Sequence, residues 1–146
     1  MIACEFDMPT LEDELCFPLY ACSKELIRCY KPLLDPLELT YTQYLALMAL
    51  WEQEPISVKA LGDLLYLDSG TLSPVLKKLD NKGYVRKTRS SEDERSVFIS
   101  LTEKGRELRR TAADIPQKIA AHMQLESGEY EQLQRLLGKL LAGLHN

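Results

Sequence analysis

The sequence predicts a mainly α-helical fold that contains one small β-hairpin. Apolar residues recur every three or four positions over most of the 146 residues, which is the period of an amphipathic helix. The alternation typical of strands is confined to two short segments between residues 84 and 101. With 7 glycines and 7 prolines the composition does not fit a disordered or fibrous chain, and the length fits a single domain.

The first helix is predicted over residues 11–34. Its apolar stripe includes Leu15, Leu19 and Leu26, spaced by four and seven positions. Thr10, with an acidic residue three positions later, resembles the capping box that begins many helices. The acidic residues 12–14 would also stabilise the helix by interacting with the positive end of its dipole.

Three shorter helices are predicted in the centre of the chain. Thr40 opens the first of them, over residues 42–52, which is apolar almost all round and is therefore expected to be buried. Ser57 caps a helix over residues 58–66, and Asp68 or Ser69 caps another over residues 69–82. Gly83 is expected to end that last helix.

After this helix, the spacing of the apolar residues changes from the helical period to the alternation of strands. Residues 84–89 and 96–101 are predicted to form two strands joined by the charged loop 90–95. Thr102 begins a long helix that Pro116 should kink or split. A last helix is predicted over residues 127–145, with an apolar stripe that ends at Leu144.

Consecutive short helices followed by a hairpin are typical of a winged helix-turn-helix, which we place at residues 40–101. The flanking segments, residues 11–35 and 102–146, carry leucine stripes that need apolar partners. We therefore expect residues 1–146 to form one domain with N- and C-terminal dimerisation helices, assembled as a two-fold homodimer. The alternative is that these helices pack only within one chain.

Charge is distributed unevenly along the chain. The net charge is −4, yet residues 57–110 carry 12 Lys/Arg against 8 Asp/Glu, and the rest carries 6 against 14. A basic segment in an acidic protein indicates a local anionic partner, and we predict double-stranded DNA with an inverted-repeat operator. An ordinary solvated surface is the alternative. The candidate DNA-binding residues are Ser69, Thr71, Ser73, Lys77, Lys78, Arg86 and Arg95.

The N-terminal segment and the cysteines indicate the compartment. No apolar run reaches the length of a membrane span, and the acidic N-terminus does not resemble a signal peptide, so we expect a cytoplasmic protein with no membrane partner. The cysteines are Cys4, Cys16, Cys22 and Cys29, too clustered for a disulfide scaffold. Their spacing fits no usual zinc site, and we expect neither metal nor cofactor.

Several segments of the sequence resemble a known family. The stretch Asp-Glu-Arg-Ser at residues 93–96 and Leu-Thr-Glu-Lys-Gly at 101–105 resemble the wing region of MarR-type transcriptional regulators. Four further segments resemble the organic hydroperoxide resistance regulators (OhrR) within that family. They are Leu-Cys-Phe-Pro-Leu-Tyr-Ala (15–21), Tyr-Lys-Pro-Leu-Leu-Asp (30–35), Leu-Thr-Tyr-Thr-Gln-Tyr-Leu-Ala-Leu (39–47) and Leu-Tyr-Leu-Asp-Ser-Gly-Thr-Leu-Ser-Pro (65–74).

The resemblance implies a repressor that releases its operator when an organic hydroperoxide oxidises Cys16. It implies that Tyr30 and Tyr41 hydrogen-bond the sulfur across the dimer, with Tyr20 nearby. In the wing it implies that Asp93 orients Arg95.

The same resemblance implies the one-cysteine type of regulator, because no cysteine follows Cys29. The oxidised sulfur would then be captured by a low-molecular-weight thiol or overoxidised.

Without the family resemblance, the sequence does not decide the role of Cys16. It lies near the predicted start of a helix, which stabilises a thiolate, but the acidic residues 12–14 oppose this. Cys22 and Cys29 lie on the apolar stripe and are expected to be buried filler. Cys4 could resolve an oxidised Cys16.

Three other functions compete with a peroxide sensor. A MarR-type repressor gated by a phenolic or quinone-like ligand would not need Cys16. A thiol peroxidase would use Cys16 as its catalyst, but the sequence has neither a Cys-x-x-Cys motif nor thioredoxin-like strand alternation. A dimeric interaction module without DNA would leave the basic segment unexplained. We therefore predict that the chain is not an enzyme.

Overall fold

The computed structural model describes residues 8–90, 92 and 96–145. The chain divides into two compact units, residues 1–113 and 114–146. The helices of the first unit are α1 (Cys16–Leu34), α2 (Tyr41–Glu52), α3 (Val58–Leu65), α4 (Ser69–Asn81) and α5 (Glu103–Ala112). Its strands are β1 (Ile56–Ser57), β2 (Val85–Arg89) and β3 (Val97–Leu101), and a 3-10 turn, Asp35–Leu37, joins α1 to α2.

Helix α2 is the centre of the first unit. Thr40 and Gln43 form a reciprocal capping box, in which the Gln43 amide donates to the Thr40 hydroxyl and the Thr40 amide donates to the Gln43 side chain. The helix packs against α1, α3, α4, α5 and β3. Its residues Ala46, Leu47 and Leu50 are at most 1% exposed, which confirms the prediction of a buried helix.

The two predicted strands are confirmed, but they belong to a three-stranded antiparallel sheet. Its order is β1-β3-β2, with Ile56 opposite Ile99 and Val85 opposite Leu101. The sequence prediction missed β1 because two residues are too few for an alternation to be visible. The sheet closes the core beneath α4 with buried Val85, Ile99 and Leu101.

The predicted start of the first helix was wrong. Asp13 accepts from the hydroxyl of Thr10 at 2.9 Å in a turn before the helix, and α1 begins only at Cys16. The amides at that start donate to the carboxylate of Glu14 instead. No acidic residue lies in the first turn of α1 itself.

The helix predicted from Thr102 is split, as expected. Thr102 caps α5 by accepting from the amide of Gly105, and its own hydroxyl donates to the carbonyl of Gly83 at 2.5 Å. In the second unit, α6 (Ile115–Met123) begins with Pro116 in its first turn, where a missing N–H costs nothing.

Helix α7 (Glu129–Leu144) completes the second unit. None of its described residues is buried, and the stripe predicted from the sequence is open to solvent in the single chain. The large exposed apolar residues on this helix are Tyr130, Leu133, Leu136, Leu137, Leu141 and Leu144. Among the residues described, no helix is both long and apolar enough to cross a membrane.

Candidate DNA-binding face and redox site

Helix α4 presents one buried and one exposed face. Leu72, Leu76 and Leu79 hold it against the core, each 1% exposed or less. The opposite face and its flanks are open, as a helix that enters a groove of DNA requires. The predicted DNA-binding residues on this helix are all exposed: Ser69, Thr71, Ser73, Lys77 and Lys78.

The N-terminus of α4 already carries an acidic cap. The carboxylate of Asp68 accepts from the amide of Thr71 at 2.7 Å, and this bond lowers the pKa of the Asp68 carboxyl. Free amides at a helix N-terminus suit phosphate oxygens. The cap takes up one of these donors, and Ser69, Thr71 and Ser73 are exposed around it.

Two lysines that sequence reasoning missed lie beside α4. Lys59 on α3 and Lys87 on β2 line a groove of about 480 Å³ with Ser73 and Ser57. The groove brings cations and hydroxyls from four elements, β1, α3, α4 and β2, together at the base of the hairpin. Only the fold reveals this grouping, since Lys59 and Lys87 are 28 positions apart in the sequence.

The structure describes only one of the two basic residues predicted in the hairpin to bind DNA. Arg86 is exposed on β2, next to Lys87, and successive side chains of a strand point to opposite faces. Arg86 therefore lies on the other face of the hairpin from the groove. Asp93 and Arg95, which lie between β2 and β3 in the sequence, are outside the described residues.

Cys16 is exposed at the first position of α1. The carboxylate of Glu14 next to it raises the pKa of the Cys16 thiol above its ordinary value. The thiol and the Phe17 amide in turn lower the pKa of the Glu14 carboxyl. In the single chain, therefore, Glu14 disfavours the thiolate form of Cys16.

Three tyrosines cluster where the end of α1 meets the start of α2. The ring of Tyr30 lies 4.8 Å from that of Tyr41 and 5.7 Å from that of Tyr44, measured between centroids. Burial raises the pKa of Tyr41, so its hydroxyl keeps its proton and can donate a hydrogen bond at neutral pH.

The structure brings Tyr30 and Tyr41 together but does not bring them to Cys16. Tyr30 lies fourteen positions after Cys16 on one helix, which corresponds to about 21 Å at 1.5 Å per residue. Tyr20 lies one turn after Cys16, exposed, with the ammonium of Lys24 above its ring at 5.9 Å. A site that contains Cys16, Tyr30 and Tyr41 thus requires two chains.

The comparisons with known proteins agree with this fold. Residues 28–111 match the model of the transcriptional regulator SarA/Rot family. The chain is also 51% identical over 141 residues to the organic hydroperoxide resistance transcriptional regulator of Bacillus subtilis, covering 97% of this chain and 96% of that one. The chain belongs to the SarA/Rot family of MarR-like winged-helix transcriptional regulators.

Solved structures of one relative, AbfR, include more than one oxidation state. Reduced AbfR bound to DNA is 32% identical, covers 93% of this chain and 95% of its own, and superposes with a TM-score of 0.77. Overoxidised AbfR bound to DNA is 32% identical, with a TM-score of 0.74 over 92% of this chain and 94% of its own. AbfR is a protein of Staphylococcus epidermidis.

Family membership confirms the predicted class. This winged-helix regulator belongs with transcriptional regulators and not with enzymes, so the thiol peroxidase alternative is not supported. The predicted mainly helical fold with a small sheet is the fold of its structural relatives.

The other cysteines of this regulator differ from expectation. Cys22 was predicted to be buried but is exposed in the single chain, where its stripe neighbours Leu19 and Leu26 are only half-buried. Cys29 is half-buried, and Cys4 lies outside the described residues. Within the described part of the chain no group of three or more His, Cys, Asp or Glu residues could hold a metal ion.

Proposed function

We propose that this regulator is a redox-sensing transcriptional repressor that binds an inverted-repeat operator and releases it when Cys16 is oxidised by an organic hydroperoxide. The observation that carries the redox part is the Tyr30–Tyr41 pair, which lies about 21 Å along α1 from Cys16 of the same chain and would therefore serve Cys16 of a partner chain. Similarity to a hydroperoxide resistance regulator supports the choice of oxidant.

The DNA half of the proposal rests on the exposed face of α4. Ser69, Thr71 and Ser73 would meet base edges and phosphates in the major groove, with Lys77 and Lys78 following along the helix. Phosphates would also be held in the adjoining groove by Lys59 and Lys87. The wing residues Asp93 and Arg95 complete the proposed contacts, with Asp93 orienting Arg95 toward the minor groove. Arg86 would contact DNA from the other face of the hairpin, apart from the groove.

The operator symmetry requires a homodimer. One α4 reads a half-site, and two of them about 34 Å apart would read successive major grooves of an inverted repeat. The open leucine stripe of α7 supplies an apolar surface for this assembly. The dimer would also place Tyr30 and Tyr41 of one subunit beside Cys16 of the other, with Tyr20 at the edge.

The proposed reaction is a two-electron oxidation of sulfur. The Cys16 thiolate attacks one oxygen of the hydroperoxide, the S–O bond forms as the O–O bond breaks, and the departing alkoxide takes a proton to leave as an alcohol. The product is the sulfenic acid. A low-molecular-weight thiol would then condense with it, giving a mixed disulfide and water, because no cysteine follows Cys29.

Oxidation would release DNA through the helix that carries Cys16. The sulfenic acid and the mixed disulfide are larger than the thiol and no longer present an anion to the tyrosine hydroxyls. The tyrosines lie where α1 meets α2, and α2 packs directly against α4. A change at the tyrosines therefore has a short packed route to the DNA-binding helix.

A gel shift tests the proposal. Inverted-repeat DNA from upstream of the protein's own gene is mixed with wild type, Cys16→Ser and the control Cys22→Ser, each with and without cumene hydroperoxide. We expect wild type and Cys22→Ser to release the DNA on oxidation and Cys16→Ser to retain it. Release of DNA by oxidised Cys16→Ser, or its retention by oxidised wild type, would overturn the redox part.

A ligand-gated repressor is the second candidate, and one groove favours it. Lys24, Arg28 and Lys31 line a cavity of about 400 Å³ beside Tyr41 and the apolar side chain of Leu39. Asp35 also lines this cavity and is ion-paired with Lys31 at 3.3 Å, so the net positive charge that would suit an anionic phenolic compound comes from Lys24 and Arg28. Release of DNA from Cys16→Ser by a phenolic carboxylate, with no response to hydroperoxide in wild type, would favour this function.

A further inference from the structure

The side chain of Lys82 joins the end of α4 to the junction between α1 and α2. Lys82 is the residue that follows α4, and its ammonium donates to the carbonyl of Glu38 and to the side-chain oxygen of Gln43, the latter at 3.2 Å. The two acceptors lie 44 and 39 positions earlier in the chain, so these bonds exist only in the folded protein. We call the two bonds the Lys82 latch.

The latch holds a strained piece of backbone at the junction. Glu38 ends the 3-10 turn in the left-handed region, with φ 57° and ψ 40°. This conformation costs free energy in a residue that has a Cβ, so the surrounding contacts must hold it. The amide of Glu38 donates to the carbonyl of Asp35 at 2.9 Å, and the ammonium of Lys82 binds its carbonyl. A strained residue that is bound from another helix is typical of a segment with two arrangements of similar free energy.

Gln43 connects the latch to the start of α2. Its side chain is buried, and its oxygen accepts both from the amide of Thr40 and from the ammonium of Lys82, so both lone pairs are used. In the sequence Gln43 lies between Tyr41 and Tyr44, the two tyrosines that α2 contributes to the tyrosine cluster. The capping bond and the latch therefore share one oxygen within the turn of α2 that carries these tyrosines.

The backbone around Lys82 is anchored on a third side. The carbonyl of Lys82 accepts from the ammonium of Lys104 on α5 at 2.9 Å, and the carbonyl of Gly83 accepts from the hydroxyl of Thr102 at 2.5 Å. These bonds fix the end of α4 to the start of α5, while the Lys82 latch fixes it to the junction. A displacement of the junction would therefore act on the end of α4 through the side chain of Lys82.

We propose that Lys82 is a positioning residue that transmits the state of the tyrosine cluster to the DNA-binding helix α4. The inference deepens the proposed function and rests on it for the trigger. While the latch is closed, the junction holds one end of α4 and thereby fixes its orientation toward DNA. Oxidation at the tyrosine cluster would move the junction, shift the carbonyl of Glu38 and open the latch. The operator would then bind a less well oriented α4 more weakly.

The test compares operator affinity in three variants. Lys82→Met keeps an unbranched side chain but removes the donors, and Lys82→Arg keeps both donors and charge. Lys31→Met is the matched control, because it removes the same charge from an exposed lysine near the junction whose ion pair is with Asp35, at 3.3 Å, and not with α4. Fluorescence anisotropy measures affinity over a range of salt concentrations, before and after treatment with cumene hydroperoxide.

We expect Lys82→Met to weaken operator binding by the reduced protein on the order of 2- to 30-fold, the range in which residues between coupled sites usually act. The slope of log affinity against log salt concentration should stay that of wild type, because the ammonium is bound to protein and neutralises no phosphate. Oxidation should weaken binding by a much smaller factor than in wild type, since the latch is already open. Lys82→Arg and Lys31→Met should behave as wild type does.

Two outcomes in folded Lys82→Met would overturn the inference. A slope that falls by about one unit would make Lys82 a phosphate contact. An oxidation response with the wild-type factor would make it a merely structural lysine, whose loss weakens the reduced and oxidised states equally. Circular dichroism verifies that each variant is folded.

A wild-type protein that does not respond to hydroperoxide would reject the proposed function but not the latch. The latch is then measured without oxidant, by combining Lys82→Met with Tyr41→Ala in a double-mutant cycle on operator affinity. If the latch transmits changes at the tyrosine cluster, the double variant should lose less affinity than the product of the two single losses. Independent effects would overturn the inference.

Discussion

The rings of Tyr30 and Tyr41 lie 4.8 Å apart although the two residues belong to different helices. Burial keeps the hydroxyl of Tyr41 protonated, so it can donate to a sulfur anion but cannot easily carry charge itself. We expect Tyr30→Phe and Tyr41→Phe each to slow the release of DNA by cumene hydroperoxide, because each removes one donor to the thiolate. Stopped-flow fluorescence of labelled operator measures the rate.

The control for the tyrosine variants is Tyr130→Phe, an exposed tyrosine on α7. It should release DNA at the wild-type rate. Unchanged kinetics in both Tyr30→Phe and Tyr41→Phe would remove the tyrosine pair from the mechanism while leaving the proposed role of Cys16 intact.

The groove beside α4 leads to a prediction about how operator binding depends on salt concentration. Lys59→Ala and Lys87→Ala should each weaken operator binding and make its salt dependence shallower, by about one unit of slope for each phosphate that the variant no longer neutralises. Lys118→Ala is the matched control, because Lys118 is ion-paired with Asp114 at 2.8 Å in the other unit. Affinity is measured by fluorescence anisotropy over a range of salt concentrations. Unaltered slopes for both groove lysines would show that DNA does not occupy the groove.

Gly105 supplies a prediction about stability. A Cβ there would lie 2.1 Å from the carbonyl oxygen of Tyr84, which already accepts from the amide of Thr102. The carbonyl of Gly105 also accepts from the indole of Trp51 at 2.9 Å, so α5 cannot simply move away. We expect Gly105→Ala to lower the free energy of unfolding by about 1–3 kcal/mol, as overpacking of a fitted core does.

Urea denaturation measures the effect at Gly105, with Gly138→Ala as its control. Nothing lies within 4 Å of a Cβ at Gly138, and it is inside a helix, so alanine there should be neutral or stabilise slightly. A Gly105→Ala protein as stable as wild type would mean that Tyr84 and α5 separate at little cost.

Local signals made most of the fold predictable from the sequence. Asp68 and Thr102 cap their helices as expected, and Gly83 follows the end of α4 with a positive φ of 81°. These features depend on a few neighbouring residues. The start of α1 escaped prediction because Thr10 and Asp13 close a turn of their own, with the capping role left to Glu14.

The candidate site could be predicted from the sequence only where its residues are close together in the chain. The exposed residues of α4 could be found from its apolar spacing, whereas the pairing of Lys59 with Lys87 needed the folded sheet. Lys82 is a second residue whose contacts needed the folded chain. The helical period favours a solvent-facing lysine at this position. In the structure its ammonium donates to the side chain of Gln43 at 3.2 Å and to the carbonyl of Glu38. That lysine ties α4 to the start of α2.

The open stripe of α7 makes the last prediction, which concerns assembly. Leu133 and Leu137 are 45% and 40% exposed in the single chain, on one side of the helix. If two chains bury this stripe, Leu133→Ser combined with Leu137→Ser should convert the dimer to a monomer and reduce affinity for a full operator much more than for a half-site. Arg135→Ser, on the opposite side of α7, should remain dimeric. Light scattering coupled to gel filtration gives the mass, and a double variant that stays dimeric would place the interface on other helices.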